Sequence, residues 1–208
     1  MNKVKKDYIP NPYVIEQTSS GERSYDIASR LLEDRIVLIP NEVTDDSMMI
    51  AVAQLLYLNN KDESSPIHLY IMSPGGSCTA GLALIDVMNY IKAPVYTYAI
   101  GMAASMGAAI LSCGEKGHRY AFPNTTVMTH QAIGGYQGSI QDAEVDMDYF
   151  KELNERLAGI IATNCGMTLK QYKKTVERNN YMFAEEAKKY GIVDEVLTTQ
   201  PTIGGDEE

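Results

Sequence analysis

The chain is short of the residues that most often carry chemistry: it has three histidines and three cysteines in 208 residues. Cys78, Cys113 and Cys165 are an odd and widely spread set without a C-x-x-C pair, which fits reduced thiols better than disulfides or a zinc site. A metal role is therefore not expected. No uninterrupted apolar run reaches the about 18 residues that a membrane span needs. The nearest, residues 98–113, contains two serines and two glycines. The opening M-N-K-V-K-K-D has no apolar core behind it to act as a secretory signal, so a cytoplasmic protein is expected. No basic run offsets the formal charge of −9, whose field would repel nucleic acid and anionic membranes. G-x-x-x-x-G-K-[ST] is absent, so the chain is not expected to hydrolyse ATP itself.

What is present suits a single α/β domain, with 45% apolar residues to build its core. Apolar, β-branched runs predict strands over residues 35–39, 67–72 and 95–100. Their apolar starts, Ile36, Ile67 and Val95, are 31 and 28 residues apart with a helical pattern between each pair. That is the spacing of parallel strands joined by helical crossovers. Two shorter strands are predicted over residues 119–122 and 126–130. A long helix should open at Ser139 and run to near Asn164, followed by short helices after Thr168 and over residues 185–190. Ile192, Val193, Val196 and Leu197 suit a final strand or a packing tail. Residues 1–23 read as an extended or mobile leading segment, 24–197 as the one domain and 198–208 as a disordered tail.

The stretch from Ile100 to Gly114, I-G-M-A-A-S-M-G-A-A-I-L-S-C-G, centres on Ser105. A serine becomes nucleophilic when a sharp strand-to-helix turn exposes its hydroxyl and leaves the following N–H groups free for an oxyanion. Gly101, Ala103, Ala104 and Gly107 would allow such an approach, with Met106 supplying the N–H after the serine. The same small residues also suit a close-packed buried helix, and the G-x-S-x-G signature is missing. Among the histidines, His118 in K-G-H-R reads as a solvated loop residue and His68 as a surface position in mid-strand. His130 ends the apolar strand V-M-T-H, and strand ends are where parallel sheets place their sites. Gly75 and Gly76 end a neighbouring strand and could present a further oxyanion donor.

These residues resemble the ClpP serine peptidases, the proteolytic subunits of the Clp protease, over about residues 13–197. The resemblance is carried by V-I-E-Q-T with G-E-R, S-R-L-L-E-D-R-I, S-P-G-G-S-C-T-A-G, I-G-M-A-A-S-M-G-A, M-T-H-Q and A-E-E-A-K-K-Y-G-I-V-D-E-V, in that order. It implies a crotonase-like fold of repeated β-β-α units with a protruding handle helix, here the long helix from Ser139. It also implies Ser105 as nucleophile, His130 as general base, and Gly76 and Met106 as oxyanion donors. Family members stack two seven-membered rings into a tetradecameric barrel, and an AAA+ unfoldase that spends ATP feeds it unfolded polypeptide. Tyr70, Tyr90, Tyr98, Tyr120, Phe122 and Leu197 match the clefts where unfoldase loops dock. Their strand positions equally suit core packing.

The chain departs from the family at the third member of the triad. In E-R-N-N, Asn179 replaces the aspartate, while Glu177 and Arg178 match an inter-ring contact. Met72 stands where the family usually has Asn, and Ala132 where it usually has Pro. The resemblance thus implies a serine endopeptidase that is weakened alone and more active in a mixed barrel with a second ClpP paralogue, without a cofactor of its own. A catalytically silent structural or regulatory subunit is the alternative. An acyl-CoA hydratase or isomerase shares the fold but leaves Ser105 and His130 without a role.

Overall fold

The structure, a computed structural model, describes residues 12–18, 21–135 and 138–199. Strands β1 (Tyr13–Thr18) and β2 (Gly21–Asp26) pair antiparallel as a two-stranded sheet. Part of the segment expected to be extended or mobile is therefore ordered strand. Residues 1–11, 19 and 20, and in the tail 200–208, lie outside the described residues. Helix α1 (Ile27–Glu33) follows, capped by the Asp26 carboxylate, which accepts from the amides of Ala28 and Ser29.

Strand β3 (Ile36–Ile39) leads into helix α2 (Asp45–Lys61), where Thr44 and Ser47 form a reciprocal capping box. Strand β4 (Ile67–Ser73) is followed by helix α3 (Cys78–Tyr90), then strand β5 (Val95–Ala104) and helix α4 (Met106–Ser112). The three strands lie side by side and parallel, as their spacing predicts. Alternation along β4 sends Ile67, Leu69 and Ile71 into the core and His68 and Tyr70 to the opposite face. Helices α2, α3 and α4 contact one another in sequence on the core side.

β5 is the element on which the rest of the sheet is built. Its first half pairs with strand β6 (Arg119–Ala121) through Thr97, Tyr98 and Ala99. Its second half pairs with strand β7 (Thr126–Thr129) through Met102, Ala103 and Ala104. Gly101, at φ 64°, bends the strand between these partners. The sequence suggests a strand ending at Ile100; the glycine bends the strand there without ending it, and pairing on both sides carries it on to Ala104.

Helix α5 (Ile140–Asn164) runs over α4 and meets helix α6 (Leu169–Thr175). Strand β8 (Asn180–Phe183), which the sequence reading does not anticipate, pairs antiparallel with β7. Helix α7 (Ala184–Tyr190) and the two-residue strand β9 (Glu195–Val196) against β6 complete a mostly parallel sheet.

An ion pair between a buried arginine and a half-buried aspartate closes this last edge. Arg119 is 1% exposed and donates from Nε (2.8 Å) and Nη2 (2.6 Å) to the Asp194 carboxylate, which also accepts from the Gly117 amide at 2.8 Å. Burial works to raise the Asp194 pKa, but the Arg119 hydrogen bonds and charge outweigh it and hold the carboxyl well below the usual carboxylate range. Removing Asp194 would leave the buried Arg119 charge without its counter-ion, at a cost of about 3–5 kcal/mol. Asp194→Ala is therefore expected to lower the thermal midpoint markedly. Because the folded pKa is depressed, the stabilisation is complete above the unfolded value of about 3.9 and is lost as pH falls below it. Thermal unfolding at pH 7 and at about pH 3 should show the gap between wild type and Asp194→Ala narrowing in acid; an unchanged gap contradicts the assignment.

Candidate active site

Ser105 sits between β5 and α4 with φ 54° and ψ −119°, one of two non-glycine residues at positive φ among those described. Such a backbone costs on the order of 1–3 kcal/mol and persists only where its surroundings dictate it. Here they do. The Ser105 amide donates to the Met128 carbonyl at 2.8 Å, and its own carbonyl accepts from the amides of Ala108 and Ala109. The turn places the side chain off the helix, where it makes no capping hydrogen bond. Ser105 is therefore the hinge residue between strand and helix, not part of a buried helix.

The neighbouring turn leaves room for it. A Cβ on Gly75 would lie 2.6 Å from the Ser105 Cβ, so no other residue fits without displacing the serine. The Gly75 amide donates to Ser73 Oγ at 3.1 Å, and its carbonyl accepts from the Val43 amide at 2.8 Å. The Gly76 amide has no acceptor among the described residues, nor does that of Met106, the first residue of α4. The Met106 amide follows Ser105 directly, and the Gly76 amide, in the turn whose Gly75 packs against Ser105, is distinguished from that of Gly75 by the Ser73 bond.

His130 follows the last residue of β7. Because β7 lies parallel to the second half of β5, with Ala104 beside Met128, both strands deliver their next residues to the same edge. A 2.7 Å hydrogen bond joins His130 Nε2 to Ser105 Oγ. Burial pushes the imidazole pKa below the ordinary histidine value. Among the described residues, no group hydrogen-bonds Nδ1.

Asn179 immediately precedes β8. The antiparallel register sets Thr129 opposite Asn180, so one step further brings Asn179 opposite His130. The two residues line a common cavity of about 410 Å³ with Glu177 and Arg178. Asn179 is exposed and carries no charge that could steady an imidazolium. Glu177 and Arg178 are also exposed, and neither forms an ion pair among the described residues.

Ser105 and His130 open onto a larger cavity of about 890 Å³. Its apolar wall comes from Met106, Ala109, Leu157, Ala158 and Ile161, and Cys78, Lys170 and Lys174 also reach it. The helical spacing of Leu157 and Ile161 is visible in the sequence, but nothing local shows that α5 turns them toward Ser105. Cys78 is two residues from Gly76, a clue that the sequence does offer. The three cysteines are free thiols, half-buried in the structure. Met72 is exposed, and its side chain lies against Gly101.

On the opposite face of the sheet, Tyr70, Tyr98 and Tyr120 stack in a row across β4, β5 and β6, with ring centroids 4.5 and 4.9 Å apart. His118 is not the solvated loop residue its sequence context suggests. It stacks on Tyr96 at 3.9 Å and hydrogen-bonds the Tyr120 hydroxyl through Nδ1 at 2.9 Å. The preceding turn returns it to the start of β6. His68 Nδ1 meets the Tyr98 hydroxyl at 2.8 Å, and burial followed by the Arg35 charge lowers its pKa. Phe122 and Leu197 adjoin the row, since their amides donate to the carbonyls of Ala99 and Ala121. Tyr90, 81% exposed at the end of α3, makes no ring contact among the described residues.

Among the described residues, no helix is long and apolar enough to cross a membrane, and no cluster of three His, Cys, Asp or Glu could hold a metal ion. A strained serine at a strand-to-helix turn, a histidine bonded to it from the adjacent parallel strand and the unbonded Met106 amide that follows the serine form an arrangement suited to acyl transfer. The sequence model of the Clp protease family matches residues 19–200, which includes every one of these elements, and the chain belongs to that family.

Proposed function

We propose that the protein is a ClpP-type proteolytic subunit, a serine endopeptidase whose activity is weakened by Asn179. The observation that carries this reading is the 2.7 Å bond between Ser105 Oγ and His130 Nε2 at a strained turn. Ser105 Oγ attacks the scissile carbonyl carbon while its proton passes to His130 Nε2. The oxyanion accepts hydrogen bonds from the amides of Gly76 and Met106. Collapse breaks the C–N bond, His130 returns the proton to the leaving amine, and water then hydrolyses the acyl-enzyme by the reverse proton path.

The triad's weak point is electrostatic. An aspartate would hold Nδ1 protonated and stabilise the imidazolium, whereas the Asn179 amide can do neither through charge. In another serine peptidase the same Asp-to-Asn change lowers turnover by ~10⁴, which bounds the effect expected here. Asn179→Asp is expected to accelerate fluorophosphonate labelling of Ser105 by at least about 10-fold, within that bound. The base must be neutral, and burial keeps the His130 pKa low. The acid limb of the labelling rate should therefore lie below about pH 6.5 in wild type and move upward in Asn179→Asp, where a carboxylate favours the cation. Equal rates and profiles would contradict the role given to Asn179.

Assembly into seven-membered rings and a double-ring barrel is supported by α5, whose Ile140, Val145, Met147 and Tyr149 are exposed apolar side chains in want of a partner surface. Glu177 and Arg178, which form no ion pair among the described residues, suit a contact between rings. The aromatic row of Tyr70, Tyr98 and Tyr120, with Tyr90, Phe122 and Leu197, suits an apolar unfoldase loop; ATP would be spent by that unfoldase, and this subunit needs no cofactor. Residues 24–197 form the peptidase domain in this reading, and an active paralogue sharing the barrel would compensate for the weakened triad.

Asn179 also favours a second reading, a silent subunit that contributes only assembly and docking surfaces. Ser105→Ala separates the two. In a mixed assembly whose partner serines are intact, peptide hydrolysis should fall if this subunit turns over and stay level if it is silent.

A further inference from the structure

Residues 131–135, which follow His130, have no regular structure and are exposed. Among the described residues they make one hydrogen bond: the Ala132 amide donates to Asn154 Oδ1 at 2.9 Å. Asn154 is half-buried on α5, one turn before Leu157 and Ala158, which are buried against the core. Its neighbour Glu155 pairs with Lys173 of α6, so this part of α5 is fixed on two sides. Asn154 and Ala132 both line the cavity that holds Ser105 and His130.

Among the described residues, His130 has no second side-chain partner to orient it: its ring is held by Ser105 on one side and by the backbone that leaves it on the other. Two residues on, that backbone is fixed to α5 by the Asn154 carboxamide. We propose that Asn154 is a positioning residue, holding the His130 loop through the Ala132 amide so that Nε2 stays within hydrogen-bonding reach of Ser105 without help from a carboxylate. Asn154 touches no reacting atom. Its effect depends on residue 132 having an N–H, so the pair works as a unit. The inference rests on the proposed roles of Ser105 and His130.

The test is the rate of fluorophosphonate labelling at Ser105, measured on the full chain of wild type, Asn154→Ala, Asn154→Asp, Ala132→Pro and the double variant Asn154→Ala with Ala132→Pro. A displacement of about 1 Å at a reacting pair costs up to about 100-fold, so Asn154→Ala is expected to label about 10- to 100-fold more slowly. Asn154→Asp keeps an oxygen acceptor and should stay close to wild type. Proline removes the N–H, so the double variant should be no slower than Ala132→Pro alone. A merely structural Asn154 would give a loss that multiplies in the double variant. That result, or Asn154→Ala labelling as fast as wild type, or Asn154→Asp labelling as slowly as Asn154→Ala, overturns the proposal. A wild-type chain that does not label at Ser105 at all would instead overturn the peptidase reading, and this inference with it.

Discussion

The backbone at Ser105 is the constraint on which the rest of the site depends. At φ 54° a non-glycine residue is held off its preferred conformations, and its surroundings must impose that. β5 is fixed by β4 and β6 along its first half and by β7 beyond Gly101. Relaxation of this turn would swing Oγ away from His130 and would reorient the Met106 amide that opens α4. The sheet is thus the means of aiming one hydroxyl and one amide, and Gly75 is the empty volume that lets the hydroxyl remain there.

Charge is distributed unevenly over this framework. The Arg119–Asp194 pair, where a carboxylate is fully satisfied and its pKa strongly depressed, serves to lock β9 onto β6. The pair of His130 and Asn179 has no such charge, and burial lowers the imidazole pKa without opposition from an anion. Geometry therefore has to do at His130 what electrostatics does at Asp194. The imidazole is aligned by the end of β7, by its bond to Ser105 and by a loop moored to α5. On this account the stance of α5 and the reactivity of Ser105 are linked, because the helix carries both the wall of the large cavity and the mooring point.

The parallel strands and their crossover helices are legible in the sequence because each has a local cause. Alternation over Ile67 to Ile71, the cap at Thr44 and the stop at Gly191 are all short-range signals. Three features are hidden for the opposite reason. β5 continues past Gly101 because β7, more than twenty residues later, supplies a new partner on one edge while Ser73 of β4 pairs with Ala103 on the other. β8 is four residues of mixed character, Asn180, Tyr181, Met182 and Phe183, whose strand conformation is decided by pairing with β7. Residues 13–18 and 21–26 become strands by pairing with each other, with little alternation to announce it. The site divides along the same line. Ser105, His130 and the Gly75–Gly76 turn stand at strand ends and can be picked out by position. The Ala132–Asn154 bond joins two residues 22 apart across a helix face, and the stacking of His118 on Tyr96 joins β5 to the turn before β6; no pattern within either segment encodes such contacts.

The central claim is that Ser105, His130 and two backbone amides form a single acyl-transfer centre. The most direct measurement is a crystal structure of the protein after reaction with a fluorophosphonate, phosphonylated to completion. Phosphorus is expected bonded to Ser105 Oγ, with the phosphoryl oxygen accepting hydrogen bonds from the amides of Gly76 and Met106 and with His130 Nε2 beside the adduct. An adduct on another residue, or a phosphoryl oxygen turned away from both amides, would contradict the claim.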